Sequence, residues 1–168
     1  QLKGIFTGME PLPPGKIPPT VGLNIGRMQI KGRKVLFWDL GGQTGLRAIW
    51  EKYYAEAHGL VYVVDAAEPE RFDESRGVLQ TLMANPEVAG APLLLLANKQ
   101  DAEGAVPAHE VEARLELPQL LLQSGHQSTH KVLGVSALTG DGIQEGVLWM
   151  VEQLQRLDSA GQLEGSSR

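Results

Sequence analysis

The chain has 168 residues, 42% of them hydrophobic and 21% charged, which is the make-up of one ordinary globular domain with a sizeable core. Its formal net charge of −5 argues against nucleic acid as the main partner. It has no cysteine, so disulfides and thiol chemistry are excluded, and His58, His109, His126 and His130 show no metal-ligand spacing. No apolar run approaches the ~20 residues of a membrane span.

In chain order, Gln1 to Met9 reads as the weakly apolar tail of a helix, and the prolines from Pro11 to Pro19 make Glu10–Pro19 a loop. Leu23, Ile25, Met28 and Ile30 then give an extended arm, Lys31-Gly32 a tight turn, and Arg33–Asp39 the returning arm of an antiparallel hairpin. Leu46, Ile49, Trp50, Tyr53 and Tyr54 follow helical spacing. Leu60–Asp65 is an apolar strand, and a helix with a stripe of Phe72, Leu79, Leu82 and Met83 follows Pro69. Pro92–Ala97 is the next strand, Pro107 opens a short helix carrying Val111 and Leu115, and Leu117–Gln127 reads as irregular. Lys131–Val135 is the last strand, and Ile143, Val147, Met150, Val151 and Leu154 mark a long amphipathic helix. Ser159–Arg168 is polar and predicted to fray.

Strands apolar on both faces and alternating with helices predict an α/β fold, a mostly parallel sheet layered between helices and edged by one antiparallel hairpin. Polar groups gather at the carboxyl ends of strands, where open α/β sheets place ligands, so Asp39, Asn98, Asp101 and Ser136 are expected to share a crevice. Val35-Leu36-Phe37-Trp38-Asp39-Leu40-Gly41-Gly42-Gln43 is a strand running into an acid, two glycines and an amide. It reads either as a buried strand ending in a turn or as a backbone made to approach a ligand. Asn98-Lys99-Gln100-Asp101 reads either as a hydrophilic turn or as a base reader. A carboxylate accepts two hydrogen bonds side by side, which suits N1–H and the exocyclic amine of guanine. An asparagine amide donates to a purine N7, and a lysine stem can lie over a flat base.

The order Thr20, Trp38-Asp39-Leu40-Gly41-Gly42-Gln43, Asn98-Lys99-Gln100-Asp101 and Ser136-Ala137 resembles the small GTPases. Thr20-Val21-Gly22-Leu23-Asn24, the tryptophan before the acid and the double glycine are similar to the Arf branch. Thr20–Gly26, Leu36–Leu40 and Ser136-Ala137-Leu138-Thr139-Gly140 resemble the ADP-ribosylation factor-related proteins within it. The resemblance runs from about Gln1 to Leu157 and implies the three-layer P-loop NTPase fold, with an Arf-like GTP-binding domain over residues 1–158 and a tail over 159–168. It implies GTP or GDP with Mg²⁺ as cofactors, Thr20 and Asp39 as metal-side groups, and Gly42 meeting the γ-phosphate. Gln43 is then the catalytic residue that orients the attacking water. Asn98, Lys99, Asp101, Ser136 and the Ala137 N–H would hold the guanine. Leu23, Trp38 and Tyr53 would be an effector surface, or else plain core packing; Leu23 stands where Arf proteins commonly have phenylalanine. Exchange factors, GTPase-activating proteins and trafficking effectors are the implied partners, on Golgi or trans-Golgi membranes reached from the cytoplasm, with membrane attachment through an amino terminus outside this sequence.

One departure limits the resemblance. A phosphate-binding loop reads G-x-x-x-x-G-K-[ST], its backbone N–H groups cradling the phosphates and its lysine reaching them. The only Gly-Lys pair here, Gly15-Lys16, follows Pro13-Pro14 and precedes Ile17, which has no hydroxyl. The expectation is that the first strand and the phosphate loop precede Gln1 in a longer protein, and that these 168 residues bind GTP weakly or not at all. The alternative is a non-catalytic binding module that keeps the effector surface.

Overall fold

The computed structural model describes residues 19–126 and 128–161. The expected helix tail and most of the proline loop, with Gly15-Lys16, lie outside the described residues, as does the end of the tail after Gly161. The chain divides into two compact units, Gln1–Ala55 and Glu56–Arg168.

The first unit is built on the hairpin of β1 (Leu23–Ile30) and β2 (Arg33–Leu40), paired antiparallel from Leu23 opposite Leu40 to Ile30 opposite Arg33. Lys31 and Gly32 both take positive φ, 48° and 78°, the geometry of a two-residue turn that matches the natural twist of the strands. Register then assigns the faces. Met28 and Ile30 point to the buried side, whereas Leu23, Ile25, Leu36, Trp38 and Leu40 share the other. The helix expected after Gln43 is a 3₁₀ helix over Thr44–Ile49 followed by one α-turn, α1 (Glu51–Tyr54). No side chain caps the amino end of either segment. The hairpin forms the two-stranded antiparallel ladder β1-β2 that its sequence pattern predicts.

The second unit is a parallel sheet in the order β3 (Leu60–Asp65), β4 (Leu93–Asn98), β5 (His130–Gly134). Leu93–Ala97 is buried at every position, as a central strand covered on both faces must be. Each buried leucine contributes about 2 kcal/mol of hydrophobic stabilisation. The helices of this unit are α2 (Phe72–Met83), α3 (Ala108–Arg114), α4 (Leu117–Gln123) and α5 (Ile143–Ser159). α3 packs on β4 and β5, and α5 on β4. Gly146 lets α5 come close, since a Cβ there would sit 3.1 Å from Leu94 Cδ2. Two sequence expectations change. The stretch after Leu117 is helical, with Pro118 in the first turn, where its missing N–H costs nothing, and with Leu117, Leu120 and Leu121 buried. Glu116, left-handed at φ 51°, breaks α4 from α3. The last helix runs through Ser159, whose hydroxyl donates back to the Gln155 carbonyl, so the tail begins later than expected. Among the described residues no helix is long and apolar enough to cross a membrane.

Gly142, at the amino end of α5, has φ 73°, and a Cβ there would lie 2.7 Å from the Gly134 carbonyl oxygen. Gly142→Ala is therefore expected to destabilise the protein by about 1–3 kcal/mol, read as a lower urea midpoint with an unchanged slope. An unchanged midpoint would contradict the packing described. His126 gives a second test. Both its ring nitrogens are buried without a hydrogen-bond partner among the described residues, and burial, with a smaller contribution from His130, lowers its pKa below the usual 6.5. Because the unfolded chain binds the proton more readily, stability is expected to fall as pH drops from 6.5 towards the folded value. His126→Phe should flatten that part of the pH profile, and an unaltered profile would show the ring is solvated.

Candidate functional site

The site residues fall into two groups, one in each unit. In the second unit, β4 ends at Asn98 and β5 at Gly134, so parallel pairing brings the residues that follow each strand to the same end of the sheet. Gln100 bolts the two ends together. Its backbone N–H donates to the Val135 carbonyl at 3.0 Å and its side-chain amide to the Val106 carbonyl at 2.9 Å. Sequence reading assigned Gln100 no role, since its partners are carbonyls fixed by the fold.

Across this junction four of the five residues expected to hold the base meet. The Ala137 N–H donates to Asn98 Oδ1 at 2.9 Å, and the Ser136 hydroxyl donates to Asp101 Oδ1. Ser136 is 2% exposed, and its oxygen also accepts the Thr139 N–H at 3.0 Å. The Gly140 N–H closes the loop on the Ser136 carbonyl at 2.8 Å. Asp101 is exposed but oriented, one oxygen held by a buried hydroxyl and the second available to a ligand donor. An oriented carboxylate beside an asparagine amide is a preset pair of acceptor and donor, able to read a purine edge. The Ala137 N–H, expected to meet a base oxygen, is already given to Asn98, so a base must share it. Lys99 takes the left-handed backbone, φ 70°, and its ammonium lies 2.5 Å from Asp65 Oδ2. That hydrogen bond holds the Lys99 pKa above its usual value, against a smaller opposing effect of desolvation.

In the first unit Thr20 Oγ1 and Asn24 Nδ2 each donate to Asp39 Oδ2, both at 3.1 Å. A hydroxyl and a carboxylate this close are hard oxygen donors. Mg²⁺ takes one or two such groups and completes its shell with water and phosphate, so the pair fits that ion. Asn24 was not singled out by sequence reading, although the register places it opposite Asp39. Gly41 is sterically required, because a Cβ there would lie 2.4 Å from the Thr20 carbonyl oxygen. Its own carbonyl accepts the Trp50 indole N–H at 3.1 Å, and the Gly42 carbonyl accepts Arg47 Nε at 2.9 Å. Trp50 and Arg47 thus hold the segment after β2 from outside the motif. Gly42 and Gln43 are exposed, and a Cβ at Gly42 would meet nothing within 4 Å, so packing does not explain that glycine.

Trp38 and Tyr53 touch, ring centroids 5.4 Å apart and tilted by 48°. Both are half-buried, as is Leu23 on the same hairpin face. Ile25 and Leu36, 48% and 47% exposed, continue that face. Strand alternation carried the signal for Ile25 and Leu36.

Known proteins share the family and the fold of this chain. The family model described as ADP-ribosylation factor family matches residues 9–154. ADP-ribosylation factor-like protein 3 of Saccharomyces cerevisiae is 37% identical over 142 residues, which are 84% of this chain and 70% of that protein. ADP-ribosylation factor-related protein 1 of Homo sapiens is 39% identical over 141 residues, 84% of this chain and 69% of that protein. Among solved structures, the Arl6 BBS3 small GTPase from Trypanosoma brucei with the bound nucleotide analogue GppNp superposes with a TM-score of 0.78 at 28% identity, covering 86% of each chain.

Ser136→Ala should release Asp101 and leave the Thr139 N–H without its acceptor. The expected cost is about 1–3 kcal/mol of folding stability, with amide resonances of residues 99–101 and 137–140 broadened or doubled. Sharp, unshifted resonances in that variant would show that the hydroxyl does not hold the loop.

Proposed function

The chain belongs to the ADP-ribosylation factor family, and on that premise we propose that it acts as a GTP-binding, GTP-hydrolysing switch of the Arf-related kind in vesicle traffic at Golgi-type membranes. The observation that carries the nucleotide reading is the pair of bonds by which the Ser136 hydroxyl holds Asp101 and the Ala137 N–H holds Asn98. Asp101 reads the guanine N1–H and exocyclic amine, and Asn98 the purine N7. Thr20 and Asp39 hold the Mg²⁺ side of the phosphates, and the ion when bound offsets charge on the phosphate oxygens. Gly42 meets the γ-phosphate with its N–H, and Gln43 orients the water that attacks it. Losing that phosphate releases the segment after β2, which is the switching event. Leu23, Trp38 and Tyr53, extended by Ile25 and Leu36, present an apolar face to effectors, while exchange and GTPase-activating proteins act on the switch segments.

A second reading rests on the absence of G-x-x-x-x-G-K-[ST] from these 168 residues together with the exposed apolar hairpin face. On that reading the chain is a binding module that engages partners without turning over nucleotide. Both readings expect weak nucleotide binding by these 168 residues, because G-x-x-x-x-G-K-[ST] does not occur in them. A fluorescent GDP or GTP analogue is expected to bind more weakly than micromolar, and micromolar or tighter binding would overturn that expectation. In a longer form that carries a phosphate loop, Gln43→Leu should slow single-turnover GTP hydrolysis by about 10²-fold or more while leaving nucleotide affinity intact. Unchanged hydrolysis would remove Gln43 from the mechanism and favour the binding-module reading.

A further inference from the structure

Lys99 is one of three non-glycine residues with positive φ among the described residues, at 70°. It directly follows the last residue of β4, where the β3–β4 register sets Asp65 beside Asn98. The backbone around Asp65 is fixed. The Ala66 N–H continues the ladder to the Asn98 carbonyl at 2.9 Å, and the Ala66 carbonyl accepts the Val106 N–H at 2.8 Å. The Asp65 carboxylate is fixed as well, because Oδ1 accepts the Ala67 N–H at 3.0 Å while Oδ2 receives the Lys99 ammonium at 2.5 Å. Side-chain exposure is 25% for Asp65 and 52% for Lys99, so the acid is the post and the lysine the tethered partner. The lysine stem starts beside the Asn98–Asp101 reader and ends at a carboxylate anchored on the neighbouring strand.

We propose that Asp65, which none of the nucleotide-binding motifs contains, is a positioning residue that acts through Lys99. It pins the ammonium so that the methylene stem offers a preset flat face to the base read by Asp101. This rests on the guanine reading of Asn98–Asp101. An untethered lysine would have to give up its rotamers when the base arrives, whereas the tethered one has given them up already. Asp65 makes no contact with ligand under this assignment, and its whole effect passes through one side chain.

The test titrates the ¹⁵N-labelled chain with guanosine, and with adenosine as control, reading affinity from the amide shifts of Asp101 and Ala137. Guanosine leaves out the phosphates and so reports the base half alone. Asp65→Asn keeps an acceptor for the Ala67 N–H while removing the charge. It is expected to weaken guanosine binding by about three- to tenfold. Lys99→Met, which leaves β3 and the Asp65 turn untouched, should give a similar loss. Adding Asp65→Asn to Lys99→Met should then change affinity by less than about twofold, because the route from Asp65 to the base is already cut. An equal loss from Asp65→Asn in both backgrounds, or no loss in the Lys99 background, overturns the positioning role and leaves the base reading standing. If the unsubstituted chain shows no preference for guanosine over adenosine, the base reading itself fails and the proposal falls with it.

Discussion

The pairing of β4 between β3 and β5 is the constraint on which the functional end of this protein depends. Parallel strands start and finish in step, so three of them deliver their carboxyl ends to one side of the sheet. Asp65, Asn98 and the Val135-Ser136-Ala137 segment reach that side from separate stretches of sequence. The register of β4, with Leu93 opposite Leu60 on one side and His130 on the other, sets the height at which it ends. The bonds from Ser136 to Asp101, from Ala137 to Asn98 and from Gln100 to Val135 follow from that placement. Each is short and local only once the strands are in register.

The hairpin unit uses strand alternation differently. One face buries Met28 and Ile30, and the other leaves Ile25 and Leu36 about half exposed beside the Trp38–Tyr53 pair. Asp39 lies on the first of these faces, opposite Asn24, and Trp38 on the second. Adjacent residues on one strand therefore serve opposite surfaces, one at the polar cluster with Thr20 and the other at the apolar patch.

Much of this was legible in the sequence, and the reasons it was legible are local. Leu60–Asp65 and Leu93–Asn98 are continuous apolar runs with a sharp polar stop, so both strands could be read directly. Lys31-Gly32 announced its turn. The helix Leu117–Gln123 was missed although Leu117, Leu120 and Leu121 carry helical spacing, because Pro118 reads as a breaker until it is placed in a first turn. The partners that hold the site were not legible. Asp65 with Lys99, Trp50 with Gly41 and Arg47 with Gly42 are pairings set by strand register and chain path rather than by residue type.

The central claim is that the oriented Asp101 carboxylate reads the guanine edge, and base exchange tests it most directly. Guanine offers an amine at C2 where xanthine offers a carbonyl, so a carboxylate suits the first and an amide N–H the second. Amide shifts at Asn98–Asp101 and Ser136–Thr139 should respond to guanosine and not to xanthosine in the unsubstituted chain. In Asp101→Asn that preference should reverse. Equal responses to both nucleosides, or a preference that survives Asp101→Asn unchanged, would contradict the account.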